Sequence, residues 1–127
     1  MNSAIPEPIL NIKVRGLPPT HKSVKTTGLV KAFAANTHSG PCRSYNEDRI
    51  SIFTNIKQPK DKECEVWPLV QFYGIYDGHS GHMCADFLRD NLHLFIVNST
   101  YFPSDPCRAI DDGCAKAEKF FTETLEK

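Results

Sequence analysis

Residues 69–76 form an apolar run broken only by Gln71 and Gly74, and the run stops at Asp77-Gly78-His79. An extended segment apolar on both faces suits a central strand covered from both sides, and the rest of the chain is expected to build around it. A carboxylate at the mouth of such a strand is held rigidly. Gly78 lets the backbone turn and lets its carbonyl approach a ligand. His79 then stands beside whatever Asp77 binds. This grouping suits metal-assisted hydrolysis, in which a hard cation activates water and an imidazole handles a proton.

The 127 residues suffice for one domain with a core, and 40% hydrophobic with 24% charged residues is ordinary globular composition. No apolar run is long enough to span a membrane. Met1-Asn2-Ser3-Ala4 begins neither a signal peptide nor a myristoylation site, so an intracellular, cytoplasmic protein is expected. Net charge is zero but uneven: residues 1–43 hold six basic residues against Glu7, and the remainder carries the matching negative excess. The basic arm either meets an acidic partner or membrane surface, or docks on the chain's own acidic body. No nucleic-acid partner is expected, and the protein is expected to be a monomer. Cys42, Cys64, Cys84, Cys107 and Cys114 are odd in number and lack C-x-x-C spacing, so neither a disulfide framework nor a zinc site is signalled. Cys84 and Cys114 are expected to pack as small hydrophobes on helices.

Residues 1–28, with four prolines, read as an irregular basic extension carrying a short strand at 9–14, and residues 29–127 as the domain proper. Residues 29–35 suggest a strand. Gly40-Pro41 marks a turn, and Ile50, Ile52, Thr54 and Ile56 alternate as in a half-buried strand. Residues 57–65 form a charged loop. Cys84, Phe87, Leu88, Leu92, Phe95 and Ile96 recur at helical spacing. Asp105-Pro106 supplies an N-cap and first-turn proline for a second helix with the stripe Ile110, Cys114, Ala117, Phe120, Phe121 and Leu125. The chain stops at Leu125-Glu126-Lys127 while still helical in pattern, which reads as an interruption of a domain.

A second polar cluster, residues 43–49, precedes the Ile50 strand. Glu47 and Asp48 are oxygen donors suited to a divalent cation, and Arg43 suits bidentate phosphate binding. Alone, such a loop reads as solvated. Asp77-Gly78 alone also reads as a hairpin turn, and His79 and His82, three apart, as surface or cap residues. Both clusters, however, lie at the ends of neighbouring expected strands.

In that order, Arg43-x-x-Asn46-Glu47-Asp48-Arg49 and Phe72-Tyr73-Gly74-Ile75-Tyr76-Asp77-Gly78-His79-Ser80-Gly81 resemble the protein phosphatase 2C family of metal-dependent serine/threonine phosphatases. Ala85-Asp86-Phe87-Leu88 and Asn91-Leu92 look like that family's first long helix, and the resemblance covers residues 29–127. It implies an α/β (α+β) fold, a sandwich of two antiparallel sheets between helix pairs, of which this chain holds the N-terminal half. It further implies a two-metal centre of Mg2+ or Mn2+ that hydrolyses phosphoserine and phosphothreonine in phosphoprotein substrates. By position, Asp77 matches the carboxylate bridging both metals and Gly78 the backbone carbonyl ligand. Glu47 matches a ligand of the same ion, and Asp48 supports the site. Arg43 matches the phosphate-holding arginine and His79 the proposed general acid.

Two departures stand out. Ser80 occupies a position where glycine or alanine is usual, and a small helix-starting residue is expected to do little harm there. More seriously, the family's domain is about twice this length. No Gly-x-x-Asp-Asn or late Asp-Gly metal motif follows position 79, and Asp111-Asp112-Gly113 falls inside a helical pattern. The expectation is a phosphatase fragment with little activity of its own. The competing reading is a non-catalytic, phosphatase-like binding or regulatory module.

Overall fold

The computed structural model describes residues 21–22, 28–63 and 66–125. The expected strand at 9–14 lies outside them, as does most of the basic extension. Strands β1 (His21–Lys22) and β2 (Ala34–Ala35) form a two-residue antiparallel pair, so the strand expected over 29–35 shrinks to its last two residues. Strands β3 (Arg49–Ile56) and β4 (Val70–Tyr76) form an antiparallel hairpin, and helices α1 (Met83–Val97) and α2 (Pro106–Leu125) follow. The described residues thus make a small α+β unit.

The hairpin register decides which faces matter. Ser51 pairs with Gly74 and Phe53 with Phe72, and a bulge after Phe53 brings Ile56 opposite Val70. Because side chains alternate, these residues and Tyr76 share the face that meets α1. Ile56, Val70 and Val97 form the core there, with Phe53, Phe72, Trp67 and Phe102 packed against it. The isoleucine alternation in β3 therefore points the other way from expectation. Ile50 and Ile52 pair with Ile75 and Tyr73 on the opposite face, and only the bulge returns Ile56 to the core.

That opposite face is apolar, as the sequence run implied, but among the described residues no helix covers it. Phe33 packs on Tyr73 at 5.5 Å, and Ile75 remains 82% exposed. β4 likewise has only β3 beside it among the described residues, so its expected cover on both sides is not provided by them.

Helix α2 starts where proline at the first position suggests, and the Asp105 carboxylate accepts the Arg108 amide at 3.1 Å. Its buried line is Ala109, Gly113 and Ala117, of which the expected stripe contains only Ala117. Ile110, Cys114, Phe120 and Leu125 are exposed, because small residues let α2 lie close against α1 and larger ones flank the seam. Phe120 and Phe121 still reach Phe87 across that flank, at 5.9 and 5.2 Å. Cys84 and Cys114 are exposed on a groove of about 380 Å³ between the helices, not packed inside as expected. Asp111-Asp112-Gly113 lies within α2, where Asp112 accepts from Lys116 and Ser99. Among the described residues no helix is long and apolar enough to cross a membrane.

Candidate functional site

Arg49, the first residue of β3, pairs with Tyr76, the last of β4. Continuing the antiparallel register by one step sets Asp48 opposite Asp77, and by two steps Glu47 opposite Gly78. Two clusters thirty residues apart in sequence therefore meet at one end of the hairpin.

The contact is close enough to require glycine. A Cβ on the buried Gly78 would lie 2.2 Å from the Glu47 carbonyl oxygen. The Gly78 amide approaches the Asp48 carboxylate at 3.3 Å, and the Gly81 amide donates to the Glu47 carboxylate at 2.7 Å. Each acid of one loop thus accepts from the backbone of the other. Asn46 shapes its own loop in an Asx turn: its Oδ1 accepts the Asp48 amide at 3.0 Å while its Nδ2 donates to Thr37 at 2.6 Å.

Asp77, Glu47, Asp48 and Arg43 line one cavity of about 220 Å³, together with His38, Ser39, Tyr45 and Asn46. Three carboxylates on one small cavity repel one another and favour a cation between them, while Arg43 places a single fixed positive charge on the wall. The donors are all oxygen, the chemistry that Mg2+ or Mn2+ takes. The fit is nevertheless incomplete. Among the described residues no three acidic, histidine or cysteine side chains converge as a ligand set. Glu47 and Asp48 are also engaged with backbone amides, while the Asp77 carboxylate has no hydrogen-bond or ion-pair partner among the described residues.

His79 is exposed and is not among the residues lining this cavity. The imidazole that does line it is His38, whose Nδ1 accepts the Gly40 amide at 2.9 Å. Nothing in the sequence around His38 signals that placement. Ser80 is not the helix cap, a position held by His82. Its φ of 57° is left-handed, a conformation that costs a serine about 1–2 kcal/mol and a glycine nothing. The departure from glycine therefore carries a penalty that was not expected.

Behind the cavity, Arg49 and Asp86 join the acidic loop to α1. Arg49 Nε donates to the Asp86 carboxylate at 2.5 Å, and its NH1 group donates to the carbonyls of Asn46 at 2.7 Å and Asp48 at 2.9 Å. The hydrogen bonds from Arg49 and then His82 hold the Asp86 carboxyl below the usual carboxylate range. Deeper in the hairpin, the Ser51 hydroxyl donates to the Arg89 carbonyl at 2.9 Å and lies 3.2 Å from the Tyr76 hydroxyl. Burial pushes the Tyr76 phenol up.

Comparison with known proteins gives the same direction as the two loops. The chain is 30% identical over 97 residues to "Probable protein phosphatase 2C 54" of Oryza sativa subsp. japonica, covering 72% of this chain and 27% of that protein. It is 40% identical over 90 residues to "Probable protein phosphatase 2C 27" of Arabidopsis thaliana, covering 67% of this chain and 24% of that one. A rice protein also named "Probable protein phosphatase 2C 27" is 33% identical over 81 residues, covering 64% and 23%. The chain thus spans about a quarter of the length of the curated relatives it matches. No protein-family model and no solved structure matches it.

Proposed function

We propose, for a chain that belongs to the protein phosphatase 2C family as a partial domain, that residues 29–127 are the N-terminal part of a metal-dependent serine/threonine phosphatase domain. The observation that carries this reading is the cavity shared by Arg43, Glu47, Asp48 and Asp77 at the mouth of the hairpin. In this reading Asp77, the Gly78 carbonyl and Glu47 would hold the cations, with Asp48 supporting the loop. When bound, Mg2+ or Mn2+ supplies charge neutralisation of the phosphate and lowers the pKa of water. Arg43 orients the phosphate of a phosphoserine or phosphothreonine protein through its planar fork. In this reading His79, exposed and outside the cavity lining, serves as the acid for the leaving oxygen once its side chain swings toward the cavity. The complete fold in this reading is the two-sheet sandwich, which gives the apolar Ile50, Ile52, Tyr73 and Ile75 face its second layer.

Because the described residues hold no complete ligand set, the chain by itself is proposed to turn over little substrate. Two measurements on the isolated chain test this. Adding Mn2+ is expected to broaden the backbone amide resonances of residues 47, 48, 77 and 78, and Asp77→Asn to abolish the effect. Phosphate release from a phosphothreonine peptide is expected to stay at background. Absence of any Mn2+ effect at those amides sinks the phosphatase reading. Release that Asp77→Asn abolishes overturns the inactivity.

One observation favours the second reading, a phosphatase-like binding or regulatory module. Glu47 and Asp48 each accept a backbone amide of the facing loop, so part of their oxygen set serves to join the two loops. Partner capture that survives Asp77→Asn combined with His79→Ala supports that reading.

A further inference from the structure

Arg49 bonds three groups at once: the Asp86 carboxylate on α1 and the carbonyls of Asn46 and Asp48 in the acidic loop. Asp86 in turn takes His82 Nδ1 at 2.6 Å and lies 3.1 Å from Arg89 NH1. His82 closes the loop that begins at Asp77, so one carboxylate ties both cavity loops to the first turn of α1. The Arg49 and Asp86 side chains are 22% and 30% exposed. The Gly78 and Gly81 amides join the two loops to each other, and the Arg49–Asp86 pair joins that unit to α1.

We infer that Arg49 and Asp86 are positioning residues for the candidate metal site: their ion pair locks the Asn46–Asp48 backbone against the Asp77–Gly81 loop and so sets where Glu47 and Asp48 present their carboxylates. Neither side chain lines the cavity. Their relevance to cation binding rests on the phosphatase reading, but the mechanical tie does not.

A double-variant cycle tests the tie. The reporters are the Gly78 and Gly81 amides, which bond Asp48 and Glu47 across the two loops. Hydrogen exchange at both amides is expected to quicken about tenfold in Asp86→Asn and in Arg49→Gln, with the double variant no faster than Arg49→Gln alone. Asp86→Glu is expected to restore most of the protection. Asp90→Asn, which removes an acid of the same helix that pairs with Arg89 and not Arg49, is expected to leave both amides unchanged. Unchanged exchange in the two single variants, additive effects in the double variant, or an equal response to Asp90→Asn each overturns the inference. Apparent Mn2+ affinity is expected to fall in both single variants while the melting temperature of Asp86→Glu stays near wild type. If Mn2+ has no effect even on the wild-type amides, the phosphatase reading falls and the exchange cycle alone decides the tie.

Discussion

His93 stacks on Phe53, with ring centroids 4.0 Å apart and planes 28° from parallel. Phe72 tilts against the same imidazole at 6.1 Å, and Nδ1 has no hydrogen-bond partner among the described residues. A titratable ring thus stands where α1 meets the sheet, in a place suited to an apolar side chain.

Burial pulls the His93 pKa down, against the weaker upward pull of Asp90. As pH falls, the unfolded chain therefore takes up the proton before the folded one. The contribution of His93 to stability is complete above the ordinary histidine value, about 6.5, and is lost as pH falls toward its depressed folded value. Urea midpoints recorded from about pH 7 down to about pH 5 are expected to fall more steeply in wild type than in His93→Phe. The same variant keeps the stacking and removes the unpaired nitrogen, for an expected gain of about 1 kcal/mol at neutral pH.

Gly113 sits where α2 crosses α1. A Cβ there would lie 2.6 Å from Ile96 Cγ1 and 2.9 Å from both its Cα and its backbone nitrogen. Alanine favours a helix interior over glycine by about 1 kcal/mol. Backbone atoms cannot move aside as a side-chain tip can, so the helices must separate. Gly113→Ala is expected to cost about 1–2 kcal/mol net, read from a chemical denaturation curve.

Gly78→Ala should act on the site more than on the core. Its methyl group would overlap the Glu47 carbonyl and push the acidic loop away from Asp77. A destabilisation of about 2 kcal/mol is expected, with loss of the Mn2+ effect at residues 47 and 48. A variant that melts lower yet binds Mn2+ as wild type does contradicts the close fit of the two loops.

Asp105→Ala removes the carboxylate that accepts the Arg108 amide at the start of α2. The expected cost is about 1 kcal/mol, visible as a lower melting temperature, with the Gly78 and Gly81 amides unaffected.

Much of the hairpin and both helices were legible from pattern, since strand and helix periods write themselves into the order of apolar residues. The β4 run, the Asp105-Pro106 start of α2 and the approach of residues 47–48 to 77–78 are all where the motifs put them. The faces were less legible. The isoleucines of β3 suggested the wrong inward side because one bulge changes the parity of the strand. The α2 stripe set Ile110, Cys114 and Phe120 inside beside Ala117, whereas Ala117 shares the seam with Ala109 and Gly113 and the larger residues are exposed.

Local pattern, then, is what the sequence alone determined: which segments carry oxygen donors and an arginine of the types that suit a hard cation and a phosphate, and roughly where strands and helices begin. It could not state that Arg49 meets Asp86 thirty-seven positions away, that His38 rather than His79 lines the cavity, or that His93 is buried on Phe53. Those relationships depend on register and on the packing of α1 over the hairpin. Such contacts join residues distant in the chain and leave no periodic trace in it, so only the tertiary structure decides them.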